Sequence, residues 1–239
     1  MAEEAQTNTS GTKPFSFWER MREISMFFDG TDRVHQTMRH VVEKLDRAGI
    51  PYAVAGGMAV NAHKHVRTTG DVDLLLTEEG LATFLSLFVP AEFTRVAGHA
   101  RRFLDPSTEI TFDILVTGLF PGSGKPGPIA FPDPSLVAET IEDRKVLNLR
   151  TLIELKLAAG RHKDFGDVVE LIRLNNLDES FAPQLSPSVR ADFIECLEEM
   201  RREQEYEARQ DRAFEEKIRE KGGSAPRPDL AQDSPDIFP

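Results

Sequence analysis

The residues with the clearest chemical meaning are two aspartates one residue apart, Asp71 and Asp73, at the start of a predicted strand. Because side chains alternate along a strand with a period of two, both carboxylates project from the same face. Adjacent carboxylates repel each other unless a positive charge lies between them. Mg²⁺ prefers oxygen ligands and commonly binds one or two carboxylates together with substrate phosphates. The pair therefore predicts a site for Mg²⁺ or Mn²⁺.

A third carboxylate, Asp113, lies in the apolar run Thr111 to Leu115, which is also predicted to be a strand. A lone aspartate among core residues needs a polar or charged partner. If its strand lies beside the strand of Asp71, three carboxylates converge and can hold two metal ions roughly 4 Å apart. That arrangement is typical of phosphoryl and nucleotidyl transfer.

A glycine pair, Gly56-Gly57, follows a short apolar strand and precedes a predicted helix over Met58 to Lys64. Glycines at such a turn let backbone N–H groups approach a phosphate. A glycine pair alone is weak evidence, because it more often marks a plain tight turn. Followed in order by three strand aspartates, it becomes a more specific indication of phosphate chemistry.

Basic residues accompany these acidic positions and would attract a triphosphate to an otherwise acidic protein. Arg67 and Lys156 adjoin the predicted site, whereas Lys64 and Arg102 are expected to be solvated surface charges. The whole set is His63, Lys64, His65, Arg67, Arg101, Arg102, Lys156, Arg161, His162 and Lys163.

The segment from Gly122 to Lys125 invites comparison with a P-loop but does not fit one. Leu119 stands where the first glycine of that motif belongs, and Pro126 stands where its Ser or Thr belongs. The segment belongs to a stretch rich in glycine and proline, Gly118 to Pro134, which predicts a flexible loop near the site.

Composition limits the class of protein that must position these residues. The chain has 239 residues, 40% hydrophobic and 29% charged, which is enough to build a core. Forty acidic against 29 basic residues give a formal charge of -11, which argues against non-specific coating of DNA. The single cysteine, Cys196, excludes an internal disulfide and fits a reducing compartment. With no apolar run of about 20 residues, we expect no membrane span and a cytoplasmic protein.

The elements alternate as in a mixed α/β (α+β) domain. We expect disordered tails at 1–15 and 222–239, a core with N-terminal helices at 16–150, and a helical region at 151–221. The charged helix from Val189 to about Lys221 carries an apolar stripe that thins along its length, and it could pack on its own core or on a partner chain. The expected strands are 52–55, 71–76, 100–104, 110–116, 137–141 and 145–149, and the expected helices of the middle region are 58–64, 80–88, 152–159 and 165–174.

The two segments Ala55 to Ala59 and Arg67 to Leu75, read AGGMA and RTTGDVDLL, resemble the active-site signature of the DNA polymerase β-like nucleotidyltransferase superfamily. The later segment Lys156 to Asp164, read KLAAGRHKD, is similar to the Lys…Arg…Asp helix pair of bacterial AbiE-type toxins and related minimal nucleotidyltransferases. The resemblance covers about 41–175.

The resemblance implies a small mixed sheet with helices on one face, Mg²⁺ at the strand aspartates and an NTP donor. Asp71 and Asp73 match the metal ligands, and Asp113 matches the third carboxylate, which helps to activate the attacking hydroxyl. Many members have serine where this chain has Gly57, so one hydroxyl contact to phosphate is absent. The implied nucleotide-binding residues are Gly56, Gly57, Arg67, Lys156, Arg161 and Asp164.

The function expected from these residues is transfer of NMP from an NTP to a hydroxyl on RNA, protein or a small molecule, with release of pyrophosphate. The toxin-like resemblance favours a toxin–antitoxin or defence role, with an antitoxin as partner. Two alternatives stay open: a small-molecule (antibiotic) adenylyltransferase, and a scaffold of the same fold that binds a nucleotide or a partner without turnover.

Overall fold

The computed structural model describes residues 17 to 220, so the tails predicted at 1–15 and 222–239 lie outside the described residues. Its helices are α1 (Phe17–Phe28), α2 (Arg33–Arg47), α3 (Gly56–Ala62), α4 (Glu78–Phe88), α5 (Pro134–Val137), α6 (Leu149–Ala159), α7 (His162–Leu174) and α8 (Arg190–Glu220). Its strands are β1 (Tyr52–Val54), β2 (Val72–Leu76), β3 (Thr94–Arg95), β4 (Arg102–Asp105), β5 (Ile110–Val116), β6 (Ala138–Ile141) and β7 (Arg144–Leu147).

The strands form one mixed sheet in the order β3-β4-β5-β2-β1-β7-β6. The pairs β2–β5 and β1–β7 are parallel, whereas β1–β2, β3–β4, β4–β5 and β6–β7 are antiparallel. This architecture confirms the mixed α/β class expected from the alternation of elements. None of the described helices is both long enough and apolar enough to cross a membrane.

The register between β2 and β5 decides which side chains share a face. Asp73 lies directly opposite Asp113, and the flanking pairs are Val72 with Phe112 and Leu74 with Ile114. Because the apolar members of these pairs are fully buried, the alternation places the two aspartates on the opposite face. The prediction that the strand of Asp113 lies beside that of Asp73 is confirmed.

The apolar face of the sheet is covered by α2 and α4. An aspartate caps α2: the side chain of Asp32 accepts from the N–H groups of Val34 and His35. Phe84 of α4 packs edge-on against Phe103 and Phe112, with ring centroids 5.3 and 6.0 Å away. This aromatic cluster anchors β4 and β5, the strands on the Asp113 side.

Helices α6, α7 and α8 pack against one another in sequence, and α6 also packs against α3. Asn148 caps α6 at its start, and Gly160, with φ +66°, ends it in the left-handed conformation, which glycine adopts at little cost. The first part of α8 is anchored by the buried side chains of Phe193, Leu197 and Met200. From 201 to 220 every side chain is half-buried or exposed. The first part of α8 therefore packs on its own chain.

Several predicted boundaries differ from the structure. The strand expected from Asp71 begins one residue later, and the helix expected over Met58 to Lys64 runs from Gly56 to Ala62. The helices expected from 152 and 165 each begin three residues earlier, and the short strand β3 was not predicted. Helix ends depend on capping contacts that periodicity does not show. The division proposed at residue 150 stays a prediction.

Candidate active site

A cavity of about 530 Å³ opens on the face of the sheet that carries Asp73 and Asp113, and the described parts of α3, α6, α7 and β4 border it. All nine residues predicted as site residues line this one cavity. They are Gly56, Gly57, Arg67, Asp71, Asp73, Asp113, Lys156, Arg161 and Asp164. The structure thus brings these residues together, and their assignment as site residues and their chemical roles stay predictions.

Gly56 is required by the close approach of Asp73. Its φ is +58°, and a Cβ atom added there would lie 1.8 Å from Asp73 Oδ2. A side chain at this position would displace the carboxylate, and the positive φ would add strain. Gly56 therefore lets the first turn of α3 lie directly against the acidic strand.

Gly57 is required for a different reason: a threonine of the following loop leaves no space for a side chain at residue 57. A Cβ atom at residue 57 would lie 2.6 Å from Thr69 Oγ1. Thr69 also lines the cavity, and its hydroxyl donates to Asp71 Oδ1 at 3.3 Å. A side-chain hydroxyl thus occupies the space beside Gly57 that a serine at residue 57 would need. Thr69 was not predicted as a site residue, because no spacing rule connects it with Gly57.

The charge of Asp73 is incompletely compensated. Burial, followed by the negative charges of Asp71 and Asp113, raises the pKa of Asp73 to about 6, although Lys156 and Arg161 oppose the shift. No hydrogen bond or ion pair to the carboxylate of Asp73 is found within residues 17–220. A desolvated carboxylate without a cationic partner is stabilised in its ionised form when a cation binds beside it.

Asp113 differs from its neighbour because it has an arginine partner. Arg102 Nε and Nη2 donate to the two carboxylate oxygens of Asp113 at 2.9 and 2.6 Å. The expectation that Arg102 is a solvated surface charge was wrong: β4 pairs Arg102 directly opposite Asp113. Sequence periodicity could not show this pair, because it depends on the hairpin register.

The residues fit a divalent cation held by two carboxylates and completed by substrate phosphates. Within the described chain, no group of three or more His, Cys, Asp or Glu side chains is arranged to hold a metal ion. Asp71 and Asp73 would supply the oxygen ligands, and the raised pKa of Asp73 reflects a negative charge that the chain leaves largely uncompensated. Mg²⁺ typically takes one or two carboxylates and substrate phosphates. Asp113 can join them only if Arg102 releases it.

An ion-pair network forms the wall opposite Asp113, and we define it as Arg67, Lys156, Arg161, Asp164 and Asp167. Lys156 Nζ donates to Asp167 at 2.6 Å and to Asp164 at 3.3 Å, and both aspartates are buried. Arg67 makes a two-pronged contact with Asp167 at 2.6 and 2.8 Å. Arg161 donates to Asp164 at 2.5 Å. The network joins the loop before β2 to helices α6 and α7.

Asp167 is the member of this network that sequence reasoning missed. Burial opposes its charge, but hydrogen bonds from Arg67 and Lys156 outweigh burial and hold the pKa of Asp167 below its ordinary value. A signal was present in the sequence, since Asp167 follows Asp164 by three residues and shares its helix face. Asp167 orients Arg67 and Lys156 toward the cavity.

Other basic residues of the predicted cluster lie elsewhere. The buried ring of His63 contacts the carbonyl oxygen of Leu147 at 2.7 Å, and Lys64 is exposed outside the cavity. The predicted loop is at the site: Gly122 and Gly124 line the cavity, and a Cβ atom at residue 122 would lie 2.6 Å from the carbonyl oxygen of Ala159. That close approach seats the loop on the end of α6.

Comparison with known proteins gives only distant structural likenesses. No family model and no curated protein matches the chain. The solved structures that are similar include ANT(2")-Ia in complex with adenylyl-2"-tobramycin, with 18% identity and a TM-score of 0.44 over 66% of this chain and 96% of that one. JHP933 from Helicobacter pylori has 13% identity and a TM-score of 0.37 over 76% of this chain and 96% of that one. An antigenic nucleotidyltransferase-like protein from Paracoccidioides brasiliensis has 17% identity and a TM-score of 0.38 over 68% of this chain and 84% of that one. At these values the likenesses carry no functional argument.

Proposed function

We propose that this protein is a metal-dependent nucleotidyltransferase, which moves a nucleoside monophosphate from an NTP to an acceptor hydroxyl. The observation that carries the proposal is the parallel register that sets Asp73 opposite Asp113 beside the glycine turn. Four carboxylates, three of them from Asp71, Asp73 and Asp113, and six cationic side chains then line one cavity wide enough for a nucleotide. Phosphoryl chemistry needs this combination, because it depends on positioning and on neutralising negative charge.

Asp71 and Asp73 would hold Mg²⁺ or Mn²⁺, which supplies charge neutralisation for the phosphate oxygens when bound. The cationic members of the ion-pair network, Arg67, Lys156 and Arg161, would bind the triphosphate. Their three positive charges exceed the two negative charges of Asp164 and Asp167, which leaves a net attraction for phosphate at this wall.

The transfer step balances as an in-line displacement. The acceptor oxygen forms a bond to the α-phosphorus, and the bond from that phosphorus to the oxygen bridging to the β-phosphate breaks. Pyrophosphate leaves with the electron pair, and the hydroxyl proton passes to a carboxylate. We assign this proton to Asp113, a role that requires Arg102 to move from Asp113 toward a substrate phosphate.

The test is incubation of the protein with radiolabelled NTPs, Mg²⁺ and cell extract. We expect label to enter an acceptor with the wild-type chain and to fall by at least about 10³-fold in an Asp71→Ala/Asp73→Ala variant, since metal and phosphate would lose their ligands. Asp143→Ala, a change in the exposed β6–β7 turn, is the matched control. Equal labelling by wild type and double variant would contradict the proposal.

The finer hypotheses concern biological role and have no support beyond the sequence resemblance. Membership of the AbiE-type branch, a toxin–antitoxin role with an antitoxin partner, and a cytoplasmic location stay predictions. A scaffold that binds nucleotide without turnover is distinguished by the same assay, because it would bind labelled NTP but transfer none. The charged residues around Asp113 bear on the chemical class of the acceptor.

A further inference from the structure

The acidic residues lie between two walls of different composition. On the side of the glycine turn stands the ion-pair network, and on the other side stands β4 with Arg101 and Arg102. Beyond Asp113 a second cavity, of about 320 Å³, adjoins the first and shares Asp113, Arg101 and Arg102 with it. The site therefore has two compartments that meet at the carboxylates.

In-line displacement assigns these compartments, and this step rests on the proposed function. The attacking oxygen and the leaving oxygen lie on opposite sides of the α-phosphorus. If the glycine turn and the ion-pair network bind the triphosphate, the acceptor must approach from the opposite side. The second cavity, at Asp113, lies on that side and has room for a sugar ring or a base.

The charges of the second cavity determine what can enter it. Its lining holds Arg101, Arg102, His99 and one carboxylate, Asp113, which is already paired with Arg102. Arg101 is exposed, and no ion pair to it is found among the described residues. Its charge is therefore available to a ligand, at a position next to the proton-accepting carboxylate.

We infer that the acceptor is phosphate-bearing: a ribose hydroxyl of an RNA end or of a free nucleotide, with an adjacent phosphate against Arg101. Arginine suits this role, because its planar guanidinium donates to two phosphate oxygens at once. On release from Asp113, Arg102 would contact the same phosphate group. The acceptor site thus repeats the preference for phosphate on the donor side.

The same charges disfavour a polycationic acceptor such as an aminoglycoside. Such a ligand needs carboxylates, and those lining the two cavities are already committed. Asp71 and Asp73 face the proposed metal site, Asp113 binds Arg102, and Asp164 binds Lys156 and Arg161. An ammonium group entering the second cavity would meet Arg101 and Arg102, and like-charge contacts repel.

The experiment compares wild type with Arg101→Gln, using Arg95→Gln as the matched control. Arg95 is an exposed arginine of the neighbouring strand β3 and lines neither cavity. Binding of a fluorescein-labelled RNA oligonucleotide with a free 3′ hydroxyl is followed by anisotropy over a series of salt concentrations. We expect Arg101→Gln to weaken binding about three- to tenfold and to lower the salt slope by about 1, as for loss of one phosphate contact. Arg95→Gln should leave both unchanged.

A transfer assay with labelled NTP then offers four acceptors: the RNA, a nucleoside monophosphate, tobramycin, and the proteins of a cell extract. Label on RNA or on the monophosphate supports the inference and tells the two phosphate sources apart. Label on tobramycin or on protein, no label on any acceptor, or an Arg101→Gln variant that binds RNA like wild type, overturns it.

Calorimetry of Mg²⁺ and NTP binding separates failure of the inference from failure of the proposed function. Binding of the metal–nucleotide pair that depends on Asp71 and Asp73 upholds the donor half, whatever the acceptor proves to be. Absence of that binding contradicts the proposed function itself, even where RNA binding depends on Arg101.

Discussion

Two groups of charged side chains border the cavity and differ in how their carboxylates are compensated. In the ion-pair network, Asp167 receives hydrogen bonds from Arg67 and Lys156, and its pKa falls below the ordinary value. On β2, Asp73 lies near the carboxylates of Asp71 and Asp113, and its pKa rises to about 6. One carboxylate is stabilised as an anion by the fold, and the other is destabilised by it.

The difference separates carboxylates that have cationic partners within the chain from those that do not. A compensated buried carboxylate contributes to the free energy of unfolding through its partners. An uncompensated one lowers the stability of the free protein and is retained only if something outside the chain neutralises it. The network therefore positions the basic residues of the cavity, and the strand aspartates are the part of the site that we propose binds a cation.

The largest expected effect comes from breaking the compensated side. Asp167→Asn leaves Arg67 without a carboxylate and leaves Lys156 with only its 3.3 Å contact to Asp164, and we expect the free energy of unfolding at pH 7 to fall by about 3–5 kcal/mol. Because the folded pKa of Asp167 is lowered, this loss is full above the unfolded pKa, near 4, and shrinks as the pH falls through the folded value. Urea denaturation at several pH values measures it, and a pH-independent loss would contradict the account.

The same chemical change on the uncompensated side should have the opposite sign. With divalent cations removed by a chelator, we expect Asp73→Asn to raise the free energy of unfolding above pH 6 by roughly 1–3 kcal/mol, since each pKa unit corresponds to about 1.4 kcal/mol. Because the folded pKa of Asp73 is raised, the wild-type protein loses stability as the pH rises from about 4 to about 6. The free energies of unfolding of the two proteins should therefore converge near pH 4.

The smallest effect concerns Asp113, which is intermediate between the two groups. Its partner Arg102 is partly exposed, with 38% of the side chain accessible, so Arg102→Gln should change stability by less than about 1 kcal/mol. The substitution frees Asp113 for a metal ion. We therefore expect Mn²⁺ to bind about two- to fivefold more tightly, measured by electron paramagnetic resonance. Weaker Mn²⁺ binding would show that Arg102 supports the site instead of masking Asp113.

The sequence predicts the parts of this site that depend on local periodicity. Asp71 and Asp73 both line the cavity, as the alternation of strand side chains predicts, and Gly56 marks a turn at which a larger residue would displace Asp73. The basic residues Lys156 and Arg161 were placed correctly because α6 and α7 meet at Gly160. In each case, neighbours along the chain are also neighbours in space.

The parts that escaped prediction depend on contacts between distant segments. Arg102 meets Asp113 only because β4 and β5 form a hairpin in one register, and Asp167 meets Arg67 across 100 residues. Thr69 fills the space beside Gly57 through a loop whose path no pattern specifies. Local propensities do not determine such contacts, because tertiary packing sets them.

The most direct test of the central claim is titration of Mn²⁺ into the metal-free protein at pH 5, 6 and 8, followed by electron paramagnetic resonance. If Asp71 and Asp73 are the uncompensated pair of a cation site, binding should be tight at pH 8 and weaken about tenfold per pH unit below 6. It should be lost in Asp73→Asn and unchanged in the control Asp143→Asn. Mn²⁺ binding that is equal in wild type and Asp73→Asn, or indifferent to pH, would contradict the account.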